Sequence, residues 1–148
     1  MAAMKKAALL LTLAALLTAC TGGGRDTCPK PVEDFITDLY QNYVFNPGEL
    51  DSIADRFSPA VLDSLHRAYV SEYDGEFTLD DPGYAVWLFR TGQNGDFTQS
   101  LDSITADGGD LYTAHITEGG ISCACQMHIV LTDDDTPLLL DFRNTCSE

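Results

Sequence analysis

From position 31 onward the apolar residues recur with a helical period. Val32, Phe35, Ile36, Leu39, Tyr40, Tyr43 and Val44 follow the i, i+3, i+4, i+7 spacing of one helix face. Pro31 suits a first turn, and Glu33 and Asp34 complement the positive end of the helix dipole. Asn46-Pro47-Gly48 ends this helix, and Leu50, Ile53, Ala54 and Phe57 predict a shorter amphipathic one. Ser58 followed by Pro59 is a cap and a first helical residue. It opens a third helix whose apolar members are Val61, Leu62, Leu65, Ala68 and Tyr69. Asp80-Asp81-Pro82-Gly83 is a turn signal. Tyr84 to Phe89 is apolar at every position and fits a buried strand and a short helix equally well.

Beyond the Gly92–Gly95 loop the pattern becomes β. Phe97–Thr105, Leu111–Thr117, Ile121–Leu131 and Leu138–Arg143 are β-rich runs. They are separated by Asp107-Gly108-Gly109-Asp110, Gly119-Gly120 and Asp133–Thr136. A two-residue Gly119-Gly120 loop sets Ile116 opposite Cys123, Ala114 opposite Cys125 and Tyr112 opposite Met127. A four-residue second loop sets Met127 opposite Phe142, Ile129 opposite Leu140, His128 opposite Asp141 and Cys123 opposite Cys146. One face then collects Tyr112, Ile116, Met127, Ile129, Leu131, Leu138, Leu140 and Phe142. The other collects Thr113, His115, Gln126, His128, Asp141 and Arg143. One apolar and one polar face are what an antiparallel sheet backed by helices requires. The expected fold class is therefore α+β, with three N-terminal helices on an antiparallel sheet of about four strands.

The first twenty residues follow a different logic. Lys5 and Lys6 precede an apolar stretch, Ala7–Leu17, that is too short to cross a bilayer comfortably and reads as a signal peptide. Leu17-Thr18-Ala19-Cys20 resembles the lipobox of bacterial lipoproteins. That resemblance implies cleavage before Cys20 by signal peptidase II and a diacylglycerol on the Cys20 thiol, which anchors the chain in the membrane. Thr21 rather than Asp follows the cysteine, which by resemblance to enteric lipoproteins favours the outer membrane. The predicted organisation is a signal peptide over 1–19, a lipidated cysteine and flexible tether over 20–27, and one domain over 28–148. The order of elements, with the lipobox, the Phe/Tyr-spaced first helix, the Ser-Pro third helix and the Asp-Asp-Pro turn, resembles small Bacteroidetes lipoproteins. These carry a domain of unknown function with the cystatin-like or nuclear-transport-factor-two-like cone fold. The resemblance implies a curved sheet with helices on its concave side and supplies no catalytic residues.

Charge narrows the function classes further. Among 148 residues, 23 are acidic and 8 basic, for a net charge of −15. Proteins that hold nucleic acid neutralise phosphates with Lys and Arg, so no nucleic-acid partner is expected. Removing residues 1–19 takes away two lysines and no acid, so the tethered domain is more acidic still. Apart from Cys20, four cysteines remain, an even number in an exported chain, and predict two disulfides. The register favours Cys123–Cys146, leaving Cys28–Cys125, with free buried thiols or a Cys28–Cys146 bond as the alternatives. A zinc site would need His115 and His128 to converge with Cys123 and Cys125, but they fall on the opposite face, so no metal or other cofactor is expected. Asp133-Asp134-Asp135 lacks the remaining ligands of a calcium loop and reads as a solvated hairpin tip.

The best catalytic constellation is His128 opposite Asp141, since an Asp-oriented histidine is a general base near neutral pH. Set against it is an ordinary cross-strand polar pair on a solvated or dimerising surface. Tyr40, Tyr43, Tyr69, Trp87 and Phe89 are read as core rather than as a ligand box. The first functional expectation is a non-enzymatic envelope lipoprotein that binds a partner protein or a small ligand. The alternative is a cone-fold hydrolase or isomerase using the Asp/His pair. A homodimer contact, if formed, is expected through the mixed-charge row Gln126, His128, Asp141 and Arg143.

Overall fold

The computed structural model describes residues 27–46, 49–72, 89 and 98–145. It is α+β, with helices packed on an open four-stranded antiparallel sheet of order β1-β2-β3-β4. Residues 1–26 lie outside the described residues, and with them the signal peptide, Cys20 and the tether. So do Trp87, Cys146 and the Asp80–Gly83 turn.

Helix α1 spans Lys30–Asp38 and continues through a π-helical turn, Leu39–Val44. The helical period places its apolar residues inward: Val32, Ile36, Leu39, Tyr40 and Val44 are fully buried. In the π turn the Phe45 N–H donates to the Tyr40 carbonyl at 2.8 Å, and the two rings pack with centroids 5.4 Å apart. The second expected helix is a 3₁₀ segment, Leu50–Arg56, that buries Leu50. Helix α2 spans Pro59–Glu72 and buries Val61 and Leu65. Ser58 caps it as the sequence predicts, its Oγ accepting from the Val61 N–H at 3.3 Å. Helical conformation is not confined to these segments, because Phe89, between α2 and the sheet, also lies in a 3₁₀ turn. Phe89 is fully buried, stacks on Phe142 at 4.5 Å and accepts a hydrogen bond from the Tyr40 hydroxyl at 3.0 Å.

The strands are β1 (Gln99–Gly108), β2 (Leu111–Glu118), β3 (Ile121–Leu131) and β4 (Pro137–Asn144). Both tight turns have positive φ at both central residues, as hairpin turns of the I′ type require: 62° and 61° at Gly109-Asp110, 58° and 82° at Gly119-Gly120. The β2–β3 register is the expected one, pairing Ile116 with Cys123, Ala114 with Cys125 and Tyr112 with Met127.

The β3–β4 register agrees only in part. Met127 faces Phe142 and His128 faces Asp141, but Ile129 faces Leu139 rather than Leu140. The loop is the cause. Thr132 and Thr136 pair through an N–H to carbonyl bond of 3.0 Å, leaving three turn residues that end at Asp135 with φ 58°. That turn starts the ladder one residue off the assumed register, and a bulge at Leu140 restores it. Leu139 therefore enters the core fully buried, whereas Leu138 and Leu140 are only half-buried and Leu131 is exposed.

The two sheet edges are treated differently. At the β4 edge, Phe57 forms a parallel bridge to Leu139, and Ser58 donates its N–H to the Leu139 carbonyl at 2.8 Å and its hydroxyl to the Leu140 carbonyl at 2.9 Å. At the β1 edge no described strand is paired. Strand β1 instead carries two bulges, at Asp102 and Asp107.

Candidate functional site

His128 and Asp141 are cross-strand partners on the polar face, as the register requires. They do not form a dyad. The Asp141 carboxylate turns back to its own chain and accepts the Phe142 N–H at 2.9 Å, and no hydrogen bond or ion pair joins it to His128. A general base needs its orienting partner within hydrogen-bond reach and a cavity for substrate, and this pair has neither.

The same face holds a denser cluster one strand away. The bulges on β1 aim the Asp102 and Asp107 carboxylates across the sheet toward β2 and β3. Asp107 accepts from Thr113 Oγ1 at 2.5 Å, Gln126 Nε2 at 3.0 Å and Thr105 Oγ1 at 3.3 Å. Asp102 accepts from Ser100 and Thr117, both at 2.6 Å. His115 sits between them with Nε2 3.2 Å from Thr105 Oγ1. For Asp107, slight burial pushes the carboxyl up. The bonds from Thr113, Gln126 and Thr105, with His115 nearby, outweigh it and hold the group below its ordinary value. The Ser100 and Thr117 hydroxyls do the same for Asp102. Three donors to Asp107 and two to Asp102 tie these carboxylates to their own sheet, and the cluster fixes the bulges. Among the described residues no three His, Cys, Asp or Glu side chains gather closely enough to hold a metal ion.

The cysteines divide into two groups. Cys123 is disulfide-bonded, and its partner lies outside the described residues. Cys28 and Cys125 are free thiols, so the expected bond between them is not formed. Cys28 lies on the helical wall of a groove between α1 and β1, whereas Cys125 is buried on β3 with its thiol hydrogen-bonded to Tyr40. Burial pushes the Cys125 thiol up to about 12, against a hydrogen bond with Tyr40 that acts the other way. Burial and then the Glu33 carboxylate also raise Cys28, though less.

Among the described residues a concavity lies elsewhere, between α1 and the unpaired edge of β1. An open groove of about 690 Å³ is walled by Cys28, Glu33, Thr37 and Gln41 on the helical side and by Gln99, Leu101, Ser103 and Ile104 on the strand side. A second stretch of about 810 Å³ shares Cys28, Glu33, Ser103 and Ile104 and continues along β1 to Asp107. At one end of the groove Gln99 Nε2 donates to the buried Glu118 carboxylate at 2.9 Å. The walls are mostly hydroxyl, amide and thiol groups over a half-buried apolar floor of Leu101 and Ile104. Polar groups around an apolar floor are what a ligand-binding cleft presents.

Sequence reasoning missed this groove because its walls are polar helix positions and a strand edge, which carry no periodic signal. The one available sign was the row Glu33, Thr37 and Gln41, spaced four apart along the polar side of the first helix. No family model, no curated protein and no solved structure matches the chain. Among the described residues no helix is long and apolar enough to cross a membrane.

Proposed function

We propose that this protein is a lipid-anchored lipoprotein of the bacterial cell envelope whose single α+β domain, of the cystatin-like or nuclear-transport-factor-two-like cone type, works as a non-enzymatic binding module. The lipobox Leu17–Cys20 supports the anchor, and Thr21 supports the outer membrane as its site. The groove between α1 and β1, polar walls around a half-buried apolar floor, is the single observation that carries the binding reading. The β3–β4 ladder, which pairs Cys125 with Asn144, supports a Cys123–Cys146 disulfide as the staple of the chain end. The acidic domain is repelled by anionic headgroups, so acyl chains on Cys20 hold the membrane while the groove faces solvent.

Labelled palmitate added to cells expressing the chain tests the anchor. Label on the wild type and none on Cys20→Ala is the expected result, and label retained on the variant overturns it.

A further inference from the structure

We infer that the α1–β1 groove receives an extended, lysine- or arginine-bearing peptide segment of a partner protein, which adds to β1 as a fifth strand. This rests on the binding-module reading and names what the groove takes.

The backbone geometry comes first. In the β2–β3 hairpin the two-residue Gly119-Gly120 turn makes Glu118–Ile121 the closing hydrogen-bonded pair, and every second pair after it is of the same kind, including Ile116–Cys123, Ala114–Cys125 and Tyr112–Met127. The polar backbone groups of Ile116, Ala114 and Tyr112 therefore point to β3. Their partners on β1 are Leu101, Ile104 and Ala106, whose N–H and C=O groups point the other way, off the sheet and into the groove. The bond from the Gly119 N–H to the Thr98 carbonyl, 3.0 Å, fits this alternation. Ile104 and Ala106, with Leu101 set off from them by the Asp102 bulge, thus present outward backbone groups along a cleft whose far wall is a helix. That is the arrangement in which extended peptides are captured by strand addition.

Length and charge select the occupant. The bulges at Asp102 and Asp107 leave Ser103–Ala106 as the regular stretch of edge, enough for a segment of about four to six residues and too short for sheet-to-sheet pairing. Glu33 is the charged side chain that the described walls turn to the groove, and those walls include no Lys or Arg. The Asp107 carboxylate at the groove's end is bonded to Thr113 and Gln126 on the sheet's polar face. Two copies of this chain, each at net charge −15, would bring like charges together along that edge. A cationic segment gains from the same field. The β4 edge is bridged at Leu139 and Leu140 by Phe57 and Ser58.

The test uses the full-length chain in detergent and three fluorescein-labelled seven-residue peptides, followed by fluorescence anisotropy. One alternates Lys and Val, one alternates Glu and Val, and one alternates Lys and Pro, which keeps the charge but loses every second N–H and holds φ at about −65°, away from the strand value. The Lys/Val peptide is expected to bind at least tenfold more tightly than either of the others. Glu33→Lys, an exposed substitution on α1, should weaken it at least fivefold, and Ile104→Pro, which removes an outward N–H, should abolish it. Equal binding of the Lys/Pro peptide would reduce the effect to charge attraction and overturn the strand. A dimer in sedimentation that Ile104→Pro dissolves would assign the edge to a second copy and likewise overturn it. Failure of all three peptides, with palmitate labelling of Cys20 intact, would remove the strand-addition inference while leaving the anchored module standing.

Discussion

Replacing each leucine of the Leu138-Leu139-Leu140 triplet by alanine separates the observed β4 register from the uniform one. In the structure Leu139 is fully buried among Ile129 and its neighbours, and Leu138 and Leu140 are half-buried. Truncating a fully buried leucine costs about 2–5 kcal/mol, the lost transfer energy plus that of the cavity left behind. Half-buried leucines lose only part of the transfer term, about 1 kcal/mol or less. The backbone bonds of this triplet, from Ser58 to the Leu139 and Leu140 carbonyls, survive all three substitutions, so the difference reports side-chain burial alone. With a urea slope of about 2 kcal/mol per molar, Leu139→Ala should move the unfolding midpoint down by roughly 1–2.5 M and the other two by about 0.5 M or less. Equilibrium urea unfolding followed by circular dichroism measures this directly. If Leu140→Ala or Leu138→Ala proves the more damaging, the bulge at Leu140 is wrong, and so is the face on which the residues before it lie.

The two free thiols should separate cleanly under iodoacetamide. Cys28, half-exposed in the groove, alkylates in the folded chain and faster in Glu33→Gln, while buried Cys125 reacts only after unfolding, as peptide mass mapping will read. Asp107 carries an acid-side contribution to stability. Its carboxyl is held below the ordinary 3.8, so the contribution is complete above that value and is lost as pH falls through the lowered folded value. Asp107→Asn should therefore flatten the dependence of unfolding free energy on pH between about 4 and 2, and an unchanged slope would count against the cluster. Any dimer formed through the polar face should shift toward monomer in sedimentation on charge reversal at exposed Arg143 (Arg143→Glu), since Gln126, His128, Asp141 and Arg143 share that surface.

The helices and the β2–β3 hairpin were legible because their signals are local. The buried residues of α1 are the predicted ones, and the Gly119-Gly120 turn alone sets a register that the ladder keeps to its end. The second hairpin failed where the chain is degenerate. Three consecutive leucines allow a one-residue slip without placing a polar side chain in the core, so hydrophobic patterning could not detect the bulge. The site failed for a related reason. Bulges at Asp102 and Asp107 leave no residue signature, yet they bend the edge strand and carry the polar cluster around His115. Cross-strand opposition of His128 and Asp141 was read correctly, but opposition fixes backbone positions only, and the Asp141 side chain found a nearer donor in the Phe142 N–H. The Cys28–Cys125 bond did not follow, since strand pairing places Cys125 on the sheet but carries no information about Cys28, and both thiols are free.

Amide hydrogen exchange of the full-length chain, with and without saturating Lys/Val peptide, bears most directly on the α1–β1 groove as the working surface of the domain. The outward-facing amides of Leu101, Ile104 and Ala106 should exchange at least tenfold more slowly with the peptide bound, and those of β4 should be unchanged. Unaltered exchange at all three β1 amides under saturation would contradict the account.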